Sequence, residues 1–441
     1  MSNITLTPNS KAWVTADNFY RLVIIAIILR VVIMPFFAHV DVLSEARRIY
    51  FWHIEGIYFD DISRNATSLF QLLFFKITSL FLDNKEVLFS HIDMQNSTAS
   101  PIGYYEFVSQ TSVFRALFAI KIPFLFADLI TAWAIWVYCD RSPSARNAVL
   151  FWLFNPICIY AFYIYGRFES IPIMFCMLSL LALKRHNLLL AAVMLGLSIN
   201  SREIFIFLGP LFVAMVCSPS CRNYSLANRV IAISIIGFAV AVSVQLISLG
   251  GSSVDAFGRE ISSIATEGRV EYLFKFIVGS FLMFPMMLFV IYLYAWNSKT
   301  ELHHKALCLY ACVFVSFFSL SSHTAYYTSW VLVFPCIFLA FNSIYLKPLI
   351  MLCVTWVIYN LAITDAGVFT TLLASPWSIT MSGLPSFPDI YRALGLEGVL
   401  DLLTYSRTAR TVYVASLIYL AFLMLRAYCA HHYKKKHADV S

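Results

Sequence analysis

The chain has 441 residues, of which 60% are hydrophobic and 12% charged, and its formal net charge is +7. A soluble domain carries about a quarter charged residues, so this composition excludes one and points to a chain that crosses a bilayer many times. The surplus Lys and Arg lie in short connections and in the tail HHYKKKH, as membrane orientation demands, and form no patch for nucleic acid.

The first apolar run, at roughly 20–38 and behind a polar stretch, reads as a signal-anchor helix. No clean span follows between 39 and 113. Within that stretch, 66–82 is apolar but short and carries Gln71 and Lys76, which predicts an amphipathic helix lying in the interface. Further spans are expected near 114–138, 148–165, 168–184, 187–200, 203–217, 229–249, 272–296, 306–322, 326–342, 347–364 and 411–428. The predicted fold class is all-α: a polytopic integral membrane protein of about 12 transmembrane helices, with a long first outward loop carrying amphipathic juxtamembrane helices. The chain reads as a single transmembrane domain, 1–441, with outward loops at 39–113 and 365–410.

With the N-terminus inside, the inner loops collect Arg141 and Arg146, Lys184 and Arg185, Arg222 and Arg229, Lys299 and Lys305, and Lys347. Counting 66–82 as a span would invert everything after it. The ten cysteines show no CxxC pair and mostly lie in apolar runs, so they read as small hydrophobes.

Charge on the outward side is the unexplained feature. Arg167 and Glu169 end one span in GRFES, Arg202 and Glu203 sit in NSRE, and His323 lies in SSHT. Charge near a bilayer is costly unless paired or hydrated, which gives it a functional reading; helix-end capping by local Arg–Glu pairs is the competing one. In the first loop, Asp41, Glu45 and Arg48 are spaced i, i+4, i+7 on one helical face, followed by Asp60 and Asp61. A carboxylate there can draw a proton from an acceptor hydroxyl, or can simply keep the loop soluble. Inside the span 114–138, Lys121 and Asp128 share a face and predict a buried pair or a bundle-interior contact. No nucleotide-binding or hydrolase motif is present.

Four segments carry a family resemblance: HVDVLSEARRI with Gly56 and Tyr58, KIPFLFADL, WLFNPICIYAFYIYGRFES and SSHTAYYTSWVLVFP. Together they resemble the GT-C glycosyltransferases, in particular the catalytic subunit of GPI mannosyltransferase I and related bacterial polyprenyl-phosphate-sugar transferases. The chain departs from that pattern in having Glu at 169, Arg at 202, and acids at 41 and 45 a helical turn apart.

The resemblance implies transfer of a hexose, mannose first, from a polyprenyl-phosphate sugar donor in the lipid bilayer to a hydroxyl of a lipid-linked glycan or polysaccharide acceptor. It implies Asp41, with Glu45 as understudy, as general base, and Arg167, Glu169, Arg202, His323 and Arg48 around the donor phosphate. Basic side chains would neutralise that phosphate, so neither metal nor cofactor is expected. Pro156 would bend its helix at Asn155. A lipid-linked sugar transporter or flippase, an envelope polysaccharide polymerase and a structural subunit are the competing functions. The expected location is the bacterial inner membrane, with the endoplasmic reticulum as alternative.

Overall fold

The computed structural model describes residues 12–39, 42, 46, 49, 65–81, 107–221, 223–249, 277–278, 281–320, 325–363, 376–378, 385, 387–398 and 401–438. These are almost all helical; the one ladder is the short antiparallel pair β1 (Ile277–Val278) and β2 (Phe281–Leu282). The helices that frame the site are α1 (Ala16–Ile33), α2 (Asn65–Thr78), α3 (Val113–Tyr138), α4 (Ala145–Leu153), α5 (Pro156–Ile159), α6 (Ser170–Lys184) and α7 (Leu188–Ile199). After them come α8 (Leu208–Cys217), α9 (Leu226–Leu249), α10 (Met283–Asn297), α11 (Leu302–Leu320), α12 (Ser329–Phe341), α13 (Leu346–Ile363), α14 (Phe387–Ala393) and α15 (Leu402–Ala438).

Among the described residues, four helices are long and apolar enough to cross a membrane, and a fifth span is the pair Ala145–Leu153 and Pro156–Ile164, bent by 41°. Six shorter apolar helices accompany them, so length and composition alone do not reach the expected twelve. Helix α3 has the length, with 26 residues, but carries Arg115, Lys121 and Asp128. Lys121 and Asp128 do not face lipid: both are fully buried.

Lys121 and Asp128 do not bond each other, which corrects the expected pair; seven residues of helix separate them by about 10 Å along the axis. Asp128 instead accepts from Arg30 Nε of α1 at 2.7 Å, Trp152 Nε1 of α4 at 2.6 Å and the Tyr163 hydroxyl at 2.6 Å. Lys121 donates to the carbonyls of Met34 at 2.9 Å, Phe37 at 2.5 Å and Tyr163 at 2.6 Å. The bundle-interior contact expected of Asp128 is therefore present, and these two side chains lock α1, α3, α4 and the turn after α5 that carries Tyr163 together.

Helix α2 has 14 residues, about 21 Å, well short of a hydrocarbon core of about 30 Å. Leu69, Leu73 and Ile77 form an exposed apolar stripe at i, i+4, i+8, while Gln71 and Phe75 are buried. Its first turn is tied to the turn after α7: Ala66 N donates to Asn200 O at 3.2 Å and Thr67 Oγ1 to Ser201 O at 3.1 Å. All ten cysteines are free, and most are buried, as small hydrophobes would be.

Candidate active site

The Asn155–Pro156 pair starts the site. Asn155 is extended and its side chain accepts from Ile157 N at 2.9 Å, capping α5, while Pro156 occupies the first turn, where no N–H is needed. This is the bend expected at Asn155. Residues Tyr160–Ile164 then widen into a π-helix, with Tyr165 N donating to Tyr160 O at 2.7 Å. Such widened turns recur at functional sites because one extra residue rotates everything after it.

Gly166 closes the turn with φ +79°. A Cβ there would lie 2.3 Å from Val42 Cγ2 and 3.0 Å from Lys121 Cε, so both backbone conformation and space require glycine. Arg167, Phe168 and Glu169 follow, and α6 begins at Ser170. The chain thus turns by way of a glycine into a helix start that carries the two charged residues.

These charges are not displayed on the surface. Glu169 is fully buried, and Arg167 and Arg202 are 6% and 7% exposed. The expected local pair of Arg167 with Glu169 is present as part of a larger cluster that also takes in Arg202; the side chain of Glu203, the other expected partner, lies outside those described. Arg167 Nε and Arg202 Nε each lie 3.7 Å from Glu169 Oε1, and Trp330 Nε1 of α12 donates to Glu169 Oε2 at 2.8 Å. The Tyr327 hydroxyl accepts from Arg202 at 2.5 Å and from Arg167 at 3.5 Å. Phe168 lies beneath both guanidiniums, at 5.3 Å from Arg167 and 5.5 Å from Arg202. Tyr326 lies 5.3 Å from Arg167, and Trp330 lies 5.7 Å from Arg202.

Two cations therefore share one buried anion, leaving a formal charge of +1 among these three side chains. Aromatic faces hold the guanidiniums through their quadrupoles and keep water from screening them. An aromatic stack continues to one side, from Tyr326 to Tyr165 at 4.5 Å and on to His39 at 4.0 Å. The chemistry such an arrangement offers is recognition of an anion, such as a phosphate, by preset guanidinium donors.

A second, smaller core lies against this turn. It joins Val42, Ala46 and Ile49 of the first loop to Phe107, Leu117, Phe168, Ile171 and Met174. Val42, Ala46 and Ile49 are helical and buried, at the i, i+4, i+7 spacing of one helix face. Of the expected site residues, Arg167, Glu169 and Arg202 are brought together; Asp41, Glu45, Arg48 and His323 lie outside the described residues. Trp330 and Tyr327 were missed as polar partners, although both stand in the SSHTAYYTSWVLVFP segment.

No protein-family model matches the chain, and no curated protein matches it. Among solved structures it is similar to ArnT from Cupriavidus metallidurans bound to undecaprenyl phosphate. The identity is 12%, the TM-score 0.48, and the match covers 95% of this chain and 78% of that one. A likeness of that size assigns this chain no family and no chemistry.

Proposed function

We propose that this chain is a membrane glycosyltransferase that moves a hexose from a polyprenyl-phosphate donor to the hydroxyl of a lipid-linked glycan or polysaccharide. The observation that supports it is the buried trio in which Arg167 and Arg202 share the single carboxylate of Glu169. When the sugar leaves its phosphate, negative charge grows on the phosphate oxygens. Guanidiniums already desolvated and oriented stabilise that charge without reorganising. Glu169 acts as their positioning group, and Tyr327 as a shared hydrogen-bond partner.

The base in this reading is Asp41, with Glu45 in reserve, and Arg48 and His323 complete the donor site. Asp41, Glu45 and Arg48 each precede by one residue the buried positions Val42, Ala46 and Ile49. Val42 is the residue against which Gly166 packs. Mannose as the sugar, the lumenal or periplasmic side for the site and the bacterial inner membrane as location belong to the same proposal. A transporter would use charge lining a path through the bundle; the Arg30–Asp128 pair in the bundle interior is fully buried and already bonded to Trp152 and Tyr163.

The test is single-turnover transfer by the purified protein with a panel of polyprenyl-phosphate sugars. Loss of a general base costs about 10²–10⁴ in rate. Asp41→Asn should lose turnover by that factor and still bind donor, with Glu45→Gln milder. The reverse ranking reassigns the base to Glu45. Donor binding without transfer by the wild-type chain, from any sugar, would sink the proposal.

A further inference from the structure

At the opposite end of α6 from Glu169, about 22 Å away along 15 residues of helix, lies a group of side chains that the proposed transfer does not use. Glu301 immediately precedes α11, and His303 and His304 are in its first turn. One ligand atom from each of the three lies within 4.8 Å of the others. Glu301 Oε2 is 3.9 Å from His303 Nε2 and 3.9 Å from His304 Nε2. The two imidazoles stack with centroids 4.0 Å apart.

We infer that Glu301, His303 and His304 form a binding site for a divalent transition-metal ion of the zinc class. Two imidazole nitrogens and one carboxylate select zinc and its neighbours over magnesium or calcium, which favour all-oxygen sites. Tetrahedral zinc with bonds of about 2.0–2.2 Å sets its ligand atoms roughly 3.4 Å apart, so the carboxylate–imidazole distances need to contract by about 0.5 Å and the widest separation in the group by up to about 1.4 Å. The Glu301 side chain is 46% exposed, whereas those of His303 and His304 are 10% and 14% exposed.

The surroundings fix one side of the group. The Tyr138 hydroxyl of α3 donates to the His303 carbonyl at 3.4 Å, and its ring meets the His303 ring edge-on at 6.3 Å. Lys184, the nearby cation that would oppose a metal, forms an ion pair with Asp140 at 2.7 Å. Three protein ligands leave a fourth position to water. The ion would clamp the start of α11, the helix whose other end leads toward Tyr326 and Tyr327. It would thus act as a structural clamp distant from the transfer centre, and it does not depend on the transferase reading.

The experiment uses the full-length protein without an affinity tag, stripped with chelator in detergent and titrated with Zn²⁺ by calorimetry. One saturable ion per chain is expected, together with a rise in melting temperature that chelator reverses. His303→Ala, His304→Ala and Glu301→Gln should each weaken binding at least tenfold, since even outer-shell partners of a metal contribute about 10–100-fold. All should melt like wild type in chelator. Glu301→Gln, at a half-exposed position, keeps the test decisive if a histidine variant fails to fold. Paired substitution of His431 and His432 to Ala in the tail should leave the affinity unchanged. No saturable binding, binding that survives Glu301→Gln and His304→Ala at full strength, or loss confined to the tail variant would each overturn the site.

Discussion

Arg30 meets Asp128 at 2.7 Å, whereas Arg167 and Arg202 each stand 3.7 Å from Glu169. Both clusters are buried arginine–carboxylate arrangements braced by a Trp and a Tyr. In the first, one cation faces one anion, and the carboxylate is saturated by Arg30, Trp152 and Tyr163. Charge is neutral and every strong bond points inward, which is how a buried pair holds helices in register. In the second, two cations face one anion, and among the described residues only Trp330 makes a close bond to the carboxylate. The two ion pairs are long, against the single short one of the first cluster. Stoichiometry and distance distinguish the two clusters, where burial alone would group them together.

The largest effect expected from breaking this comparison is at the saturated cluster. Asp128→Ala strands Arg30 in the bundle interior and removes the acceptor of Trp152 and Tyr163. Removing one partner of a buried pair costs about 3–5 kcal/mol, a large part of the stability of any domain. Little folded protein should survive detergent extraction, as read by size-exclusion profile and melting temperature. A variant that elutes and melts normally would remove Asp128 from the architecture.

At the Glu169 cluster the order of effects should reverse. Arg167→Ala and Arg202→Ala each leave Glu169 one counter-ion, so folding should change little. A lost hydrogen bond to a charged group is worth about 1.5–3 kcal/mol, or roughly 10- to 150-fold in kcat/KM for whichever donor is active. The double variant isolates Glu169 as a buried anion and should lose stability beyond the sum of the singles. Full turnover in both single variants would place the anion site elsewhere.

How much of this contrast the sequence carried depends on the range of the contact. The break at Asn155–Pro156, the turn at Gly166 and the charges of GRFES are local, and turn chemistry makes them legible in the sequence. Hydrophobic periodicity likewise put Lys121 and Asp128 on one face, inside the bundle. It did not reveal their partners, because a face has no address: Asp128 found Arg30, 98 positions away, and Lys121 found backbone carbonyls that no side-chain pattern encodes. Tyr327 and Trp330 stayed hidden for a different reason. In a chain with 16% aromatic residues, a Trp that donates to a carboxylate looks like any Trp facing lipid.

The smallest effect, and the one that links both regions, is at Asn155. Its side chain caps α5 and lies buried, with Nδ2 3.6 Å from Cys353 Sγ. The π-helical turn that continues this helix carries Tyr163, which donates to Asp128 and whose carbonyl accepts from Lys121. Three residues later the same chain reaches Gly166 and then Arg167. A lost cap costs typically about 1 kcal/mol and up to about 2. Because Pro156 still fixes the first helical φ, Asn155→Ala should loosen the bend without abolishing it. The expected result is a melting temperature lowered by a few degrees, with transfer reduced by less than either Arg167→Ala or Arg202→Ala reduces it. Packing is then the whole role of the Asn-Pro pair. Should Asn155→Ala instead stop transfer while melting like wild type, the bend would act on the guanidinium cluster directly, and the line drawn between the two regions would have to move to include it.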